Sequence, residues 1–158
     1  QHGGKPKRER VGHVFMKRAM AENQAVFGGE LSGHFYFRDF FYCDSGMLTF
    51  IAVLNVLTRT GQPLSALTAP LSVYANSGER NYENDDKQGT LSALAAKYAD
   101  GQMDQLDGIT VQYEDWWFNV RSSNTEPLLR LNVEARTPEL LAAKLGELEP
   151  LLGRPVEH

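Results

Sequence analysis

The spacing of hydrophobic positions changes several times along the chain, and each change marks an element. Val14, Phe15, Ala19 and Met20 fall near helical spacing, and Ala25-Val26-Phe27 then reads as a short buried strand running into Gly28-Gly29. Leu48, Ile51, Leu54 and Leu57 recur at three- and four-residue steps, which predicts a buried helix with Asp44 as its cap and Gly61 at its end. Gln62-Pro63 and Pro70 break the chain around a short apolar helix through Leu64 and Leu67, and Leu71 to Ala75 reads as a strand. A further helix is expected from about Gln88 to Tyr98, closed by Asp100-Gly101. Strands follow at Ile109 to Tyr113 and Trp116 to Val120, joined by a turn at Glu114-Asp115. In the last strand Leu129, Leu131, Val133 and Ala135 alternate with Arg130, Asn132 and Glu134, so one face is buried and the other wet. Thr137 at N-cap and Pro138 at N1 open a closing helix whose Leu141, Leu145 and Leu148 share one stripe.

From residue 71 onward the order is strand, helix, three strands, helix, which suits an antiparallel four-stranded sheet covered on one face by two helices. The first 70 residues offer too few strands to cover Met47 to Leu57 on both sides, so they read as an incomplete unit, with the boundary near 68 to 71. The chain has 158 residues, enough for one domain or two small ones. Its formal charge of -4 excludes the global positive field that non-specific nucleic-acid binding needs, so any anion site is local. The basic cluster Lys5, Lys7, Arg8 and Arg10 around Pro6 reads as an exposed connector. Cys43 is alone, which rules out an intramolecular disulfide and a thiolate zinc cluster from one chain and fits a reducing cytoplasm. Met47 to Leu57, interrupted by Asn55, is too short to cross a bilayer, and no apolar leader stands at Gln1.

Two segments are dense in groups that can do chemistry. Arg121-Ser122-Ser123-Asn124-Thr125-Glu126-Pro127 lies between two strands and offers a guanidinium fork, hydroxyl donors and a tight turn, the makings of a phosphate cradle or of a polar hairpin turn held by local bonds. Gly28-Gly29-Glu30-Leu31-Ser32-Gly33-His34 places a carboxylate, a hydroxyl and an imidazole on glycine-rich backbone, a set suited to reading vicinal sugar hydroxyls. No residue separates Ser32 from Gly33, so this is not a Gly-x-Ser-x-Gly nucleophile elbow. His13 and His34 are imaginable zinc ligands, but no cysteine set and no HExxH spacing accompanies them, and no metal ligands are assigned. Of Trp116 and Trp117, one is expected in the core and the other on the surface.

Gly29-Glu30-Leu31-Ser32-Gly33-His34 resembles the GExSGH sugar-binding loop of the alpha-D-phosphohexomutases, and Arg121 to Leu129 resembles that family's C-terminal phosphate-binding loop. Val11-Gly12-His13 followed by Lys17 resembles its VGHxxxK element, and Asp44-Ser45-Gly46 falls in place before the apolar helix. The likeness covers essentially the whole chain, and Asn124 and Leu31 lean toward the phosphomannomutase/phosphoglucomutase branch.

The resemblance implies that residues 1–67 are the later part of the family's third, α/β/α domain and that 71–158 are its fourth, TBP-like domain. It implies Glu30 and Ser32 on the sugar O3 and O4 hydroxyls, with His34 beside them, and His13 as an active-site histidine. Arg121, Ser123, Asn124 and Thr125 would hold the phosphate that is not reacting, with Lys17 and Arg130 as further candidates. The whole enzyme would interconvert hexose 1- and 6-phosphates with Mg2+ and a hexose 1,6-bisphosphate intermediate. No TASHNP-type phosphoserine loop and no DxDxDR magnesium loop occurs here, so a C-terminal fragment, inactive without the remaining domains of its polypeptide, is expected. The alternatives are a phosphoglucosamine mutase, or a non-catalytic module that binds phosphosugars or other anions. Neither nucleic acid nor membrane is expected as a partner.

Overall fold

The computed structural model describes residues 3–123 and 126–156. Two units follow one another, residues 1–70 and residues 71–158. The first opens with helix α1 (His13–Asn23), passes through strands β1 (Phe27–Gly29), β2 (Phe35–Phe37) and β3 (Cys43–Asp44), and ends in α2 (Gly46–Thr60) and α3 (Leu64–Thr68). Its strands form an antiparallel sheet in chain order.

The expected strand at Ala25-Val26-Phe27 is displaced to Phe27–Gly29, and β2 and β3 were not foreseen, because strands of two or three residues are too short to show a period. Helix α2 is capped by Ser45 rather than Asp44. The Ser45 hydroxyl accepts from the Leu48 N–H at 3.2 Å, and Gly61 closes the helix in the left-handed conformation. Asp44 is thereby released into β3, opposite Tyr36. Nor is α2 buried: Met47, Phe50, Ile51, Leu54 and Val56 are exposed. Helical spacing identifies an apolar face but not what covers it, and the three short strands of this unit leave that face open.

In the second unit a 3-10 turn (Ala69–Leu71) at the boundary precedes β4 (Ala75–Asn76), β5 (Arg80–Glu83) and α4 (Lys87–Lys97). There follow β6 (Gln102–Asp104), β7 (Ile109–Gln112), β8 (Trp116–Ser122), β9 (Leu128–Ala135), α5 (Pro138–Leu148) and β10 (Arg154–Val156). The sheet runs β10-β5-β9-β8-β7-β6, with β4 also paired to β9. Its four central strands with α4 and α5 are the antiparallel, two-helix arrangement that the pattern predicts, and the mixed α+β class holds. The strand expected at 71–75 is reduced to the two-residue β4, which it meets only at Ala75. The central strand beside β9 is instead Arg80–Glu83, in which only Tyr82 is apolar and no alternation announces it. The short β10 carries Pro155, which a sheet tolerates at its edge.

Register does most of the positioning. Strands β8 and β9 pair without interruption from Trp116↔Ala135 to Ser122↔Leu129. Phe118, Val120, Leu129, Leu131 and Val133 point inward against Leu94 of α4, Tyr98 at its C-cap, and Leu145 and Leu148 of α5. Each of the large aliphatic side chains contributes about 1.5–3 kcal/mol by leaving water. The opposite face carries Trp117, Asn119 and Arg121 from β8 against Glu134, Asn132 and Arg130 from β9. Trp116 is core, while the Trp117 indole N–H donates to Glu134 Oε2 at 3.1 Å on the other face. No helix among the described residues is long and apolar enough to cross a membrane.

Gly108, entering β7, has φ +67°, and a Cβ there would lie 2.2 Å from the Val120 carbonyl oxygen and 2.6 Å from the Arg121 Cα. Gly108→Ala is therefore expected to cost more than about 2 kcal/mol, through both left-handed strain and a clash with β8. Both tryptophans lie on β8, so tryptophan fluorescence during urea unfolding reads this unit directly. Unchanged stability would contradict the packing of β7 on β8.

Candidate functional site

In the first unit, β1 and β2 form a hairpin whose turn carries the sugar-loop residues. The Gly33 N–H bonds to the Glu30 carbonyl at 3.0 Å, and the Glu30 N–H bonds to the His34 carbonyl at 2.9 Å. Gly33 adopts φ +83°, as a bulged hairpin turn requires, which explains the glycine before His34. The turn brings Glu30, Ser32 and His34 beside His13, the first residue of α1. Lys17 stands one helical turn further along α1.

Glu30 is held at both oxygens. The Tyr36 hydroxyl donates to Oε1, and the Gly12 N–H, at the N-cap of α1, donates to Oε2 at 3.3 Å. A carboxylate has about four lone-pair sites, so about two remain for ligand hydroxyls. Ser32 Oγ and His34 Nδ1 share a hydrogen bond of 2.9 Å. The His34 and Tyr36 rings flank His13, with ring centres 4.8 and 5.4 Å away. Asp44 Oδ1 lies 3.5 Å from His13 Nδ1. Tyr36 is fully buried. Burial, and then the Glu30 carboxylate that accepts its hydrogen bond, hold its phenol well above the ordinary value.

Sequence reasoning did not place Tyr36 or Asp44 in this group. Tyr36 carried a signal, since it lies two residues beyond His34 and strand geometry puts both on one face. Asp44 carried none, because its place depends on the β2–β3 register, Tyr36↔Asp44.

In the second unit the cradle residues Arg121 and Ser122 belong to β8 itself, and Arg121 lies directly opposite Arg130. Like charges in that position repel, and Glu79 answers them. Its two oxygens accept from Arg121 Nη2 at 3.0 Å and from Arg130 Nη1 at 3.1 Å. Arg130 Nη2 also donates to Glu126 at 2.9 Å. Two guanidiniums and two carboxylates leave the empty cradle formally neutral. Ser123 Oγ accepts from the Glu126 N–H at 3.2 Å and pins the turn. Among the described residues the buried Nε of Arg130 has no acceptor. Asn124 and Thr125, both expected in the cradle, lie outside the described residues. Glu79 was missed because it sits in the short interruption between β4 and β5, both of which pair with β9.

Residues 1–74 match the family description "Phosphoglucomutase/phosphomannomutase, alpha/beta/alpha domain III", and residues 79–148 match "Phosphoglucomutase/phosphomannomutase, C-terminal domain". The chain belongs to the phosphoglucomutase/phosphomannomutase family. A phosphomannomutase of Escherichia coli is 40% identical over 156 residues, covering 96% of this chain and 34% of the relative. One of Methanocaldococcus jannaschii is 38% identical over 154 residues, covering 98% of this chain and 34% of the relative. The crystal structure of a phosphoglucomutase/phosphomannomutase family protein from Burkholderia thailandensis superposes with a TM-score of 0.79 at 33% identity, covering 95% of this chain and 32% of that one. The chain thus spans about a third of the length of these family members.

Magnesium, which membership in the phosphoglucomutase/phosphomannomutase family implies, prefers six oxygens in an octahedron. Among the described residues the grouping of three ligand-type side chains is His13, His34 and Asp44, two nitrogens and one carboxylate. That set does not fit Mg2+.

Two outcomes are expected. Glu79→Gln removes the counter-charge between two facing arginines and costs about 1–2 kcal/mol by urea unfolding, a deficit that shrinks in 1 M salt as the repulsion is screened. An equal loss at low and high salt would refute the charge argument. Because the Tyr36 phenol is raised, its stabilising effect is complete below about pH 10 and fades only as pH climbs through the raised value. Tyr36→Phe should therefore leave the phenolate absorbance below about pH 11 unchanged.

Proposed function

We propose that this chain is the substrate-holding C-terminal portion of a phosphomannomutase/phosphoglucomutase. The full-length protein interconverts hexose 1- and 6-phosphates in the cytoplasm through a bisphosphate intermediate. The observation that carries the reading is the facing pair Arg121 and Arg130, which sets two guanidinium forks side by side where a phosphate can bridge them as the Glu79 carboxylate does. Among the described residues the buried Nε of Arg130 has no acceptor, which adds a donor for the phosphate.

A mutase of this kind must hold its substrate in two opposite orientations, so that either phosphate can meet the reacting group. Arg121, Arg130 and the Ser123-Asn124-Thr125 segment hold whichever phosphate is not reacting, by charge-assisted bonds. Glu30, fixed by Tyr36 and the Gly12 N–H, and Ser32, fixed by His34, accept from and donate to the O3 and O4 hydroxyls near the middle of the ring. Their order about the ring is little changed when the sugar turns end for end. Glucose and mannose differ only at C2 and share the O3 and O4 hydroxyls, so both are substrates. His13 lines the same corner from α1 and orients the ring, and Lys17, one turn further along α1, assists it. This portion supplies binding and orientation; the phosphoryl-transfer group belongs to the rest of the polypeptide, and the chain alone turns nothing over.

The reading is tested by titrating the chain with glucose 6-phosphate while following amide shifts. Perturbations centred on Arg121 to Thr125, with a Kd on the order of millimolar for an open wet loop and lost in Arg121→Ala, are expected. In the full-length protein, Glu30→Gln should lower kcat/KM at least about tenfold for glucose and mannose phosphates alike. Loss confined to one sugar would refute the assignment to O3 and O4.

A further inference from the structure

Asp44 is the residue that changes what the sugar corner can bind. Two histidines alone give a metal little selectivity, and the sequence offered no third ligand. The β2–β3 register supplies one by setting Asp44 across from Tyr36 and beside His13. One ligand atom from each of His13, His34 and Asp44 lies within 4.8 Å of the others. The 3.5 Å between His13 Nδ1 and Asp44 Oδ1 is close to the edge, about 3.3 Å, of a tetrahedron built on bonds of about 2.0–2.1 Å. The His13 and His34 rings lie edge to face at 70°, with their centres 4.8 Å apart. Ser32 already bonds His34 Nδ1, which steadies that ring and leaves Nε2 as the nitrogen for a metal. The His13 and Asp44 side chains are 47% and 33% exposed, so an ion can enter without unfolding the hairpin.

We infer that His13, His34 and Asp44 form a site for a divalent cation of the zinc class, Zn2+, Co2+ or Ni2+, with a fourth position open to water. Two imidazoles and one carboxylate suit these ions and disfavour Mg2+ and Ca2+, which seek oxygen. The ion occupies the corner in which Glu30 and Ser32 are read as sugar ligands, so it excludes substrate. That inhibitory consequence rests on the function proposed above; the cation site itself rests only on the geometry.

Cobalt is the probe, because its visible bands strengthen when it leaves the six-water complex for a site of four or five ligands. Titrating the whole chain with Co2+ should give a saturable visible spectrum that Zn2+ abolishes at equimolar concentration and that millimolar Mg2+ leaves intact. His34→Ala and the isosteric Asp44→Asn should each weaken binding tenfold or more. Leu31→Ala, exposed in the same turn and outside the ligand set, should change it less than twofold, which separates loss of a ligand from general disturbance of the hairpin. A spectrum that stays that of the six-water ion, or affinity indifferent to Asp44→Asn and His34→Ala, overturns the site. In the full-length protein, Zn2+ should inhibit competitively against hexose phosphate, unrelieved by excess Mg2+ and about tenfold less effectively in Asp44→Asn. Binding by the chain without competition in the full-length protein would uphold the cation site and overturn the sugar assignment instead.

Discussion

The β8–β9 ladder is the constraint on which the second unit depends. Seven consecutive pairs fix which side chains enter the core, and a slip of one residue would send Phe118, Val120, Leu131 and Val133 into water and draw Arg121 and Arg130 inside. The apolar face therefore sets the register, and the register in turn sets one guanidinium opposite the other. Core packing provides the force that holds two like charges together, and Glu79 lowers what that force must overcome. Binding chemistry on one face is thus sustained by burial on the other.

The first unit solves a similar problem by different means. Its hairpin is short, and its order comes from Glu30, which joins the turn to the start of α1 through Gly12 and to the sheet through Tyr36. A carboxylate so placed has little freedom left to lose when a ligand arrives, which lowers the entropic cost of binding. The same fastening makes Glu30 structural as well as functional, so its replacement disturbs more than one contact.

Much of this was legible in the residues themselves. The alternation in β9, the Thr137-Pro138 start of α5 and the stripe on α2 each follow from local rules, and the loop motifs pointed to Glu30, Ser32, His34 and Arg121. What escaped was set by pairing between distant segments. Arg80–Glu83 lacks an apolar alternation because it is held by its neighbours rather than by its own composition. Asp44 resembled a helix cap until Ser45 took that role and β3 took Asp44. Glu79 stands where β4 gives way to β5, a place that no window of sequence marks. In each case a polar residue acquired its meaning from a strand partner far away in the chain.

Helix α2 gives the two units different relations to water. A ridge of Met47, Phe50, Ile51 and Leu54 facing solvent leaves the first unit with an unmet apolar demand, whereas the second has closed its core. Apolar attraction strengthens on warming, and sulfate or phosphate salts strengthen it further. Concentrated, warm, high-salt solutions are consequently those that tax this helix most, through a surface that takes no part in either ligand site.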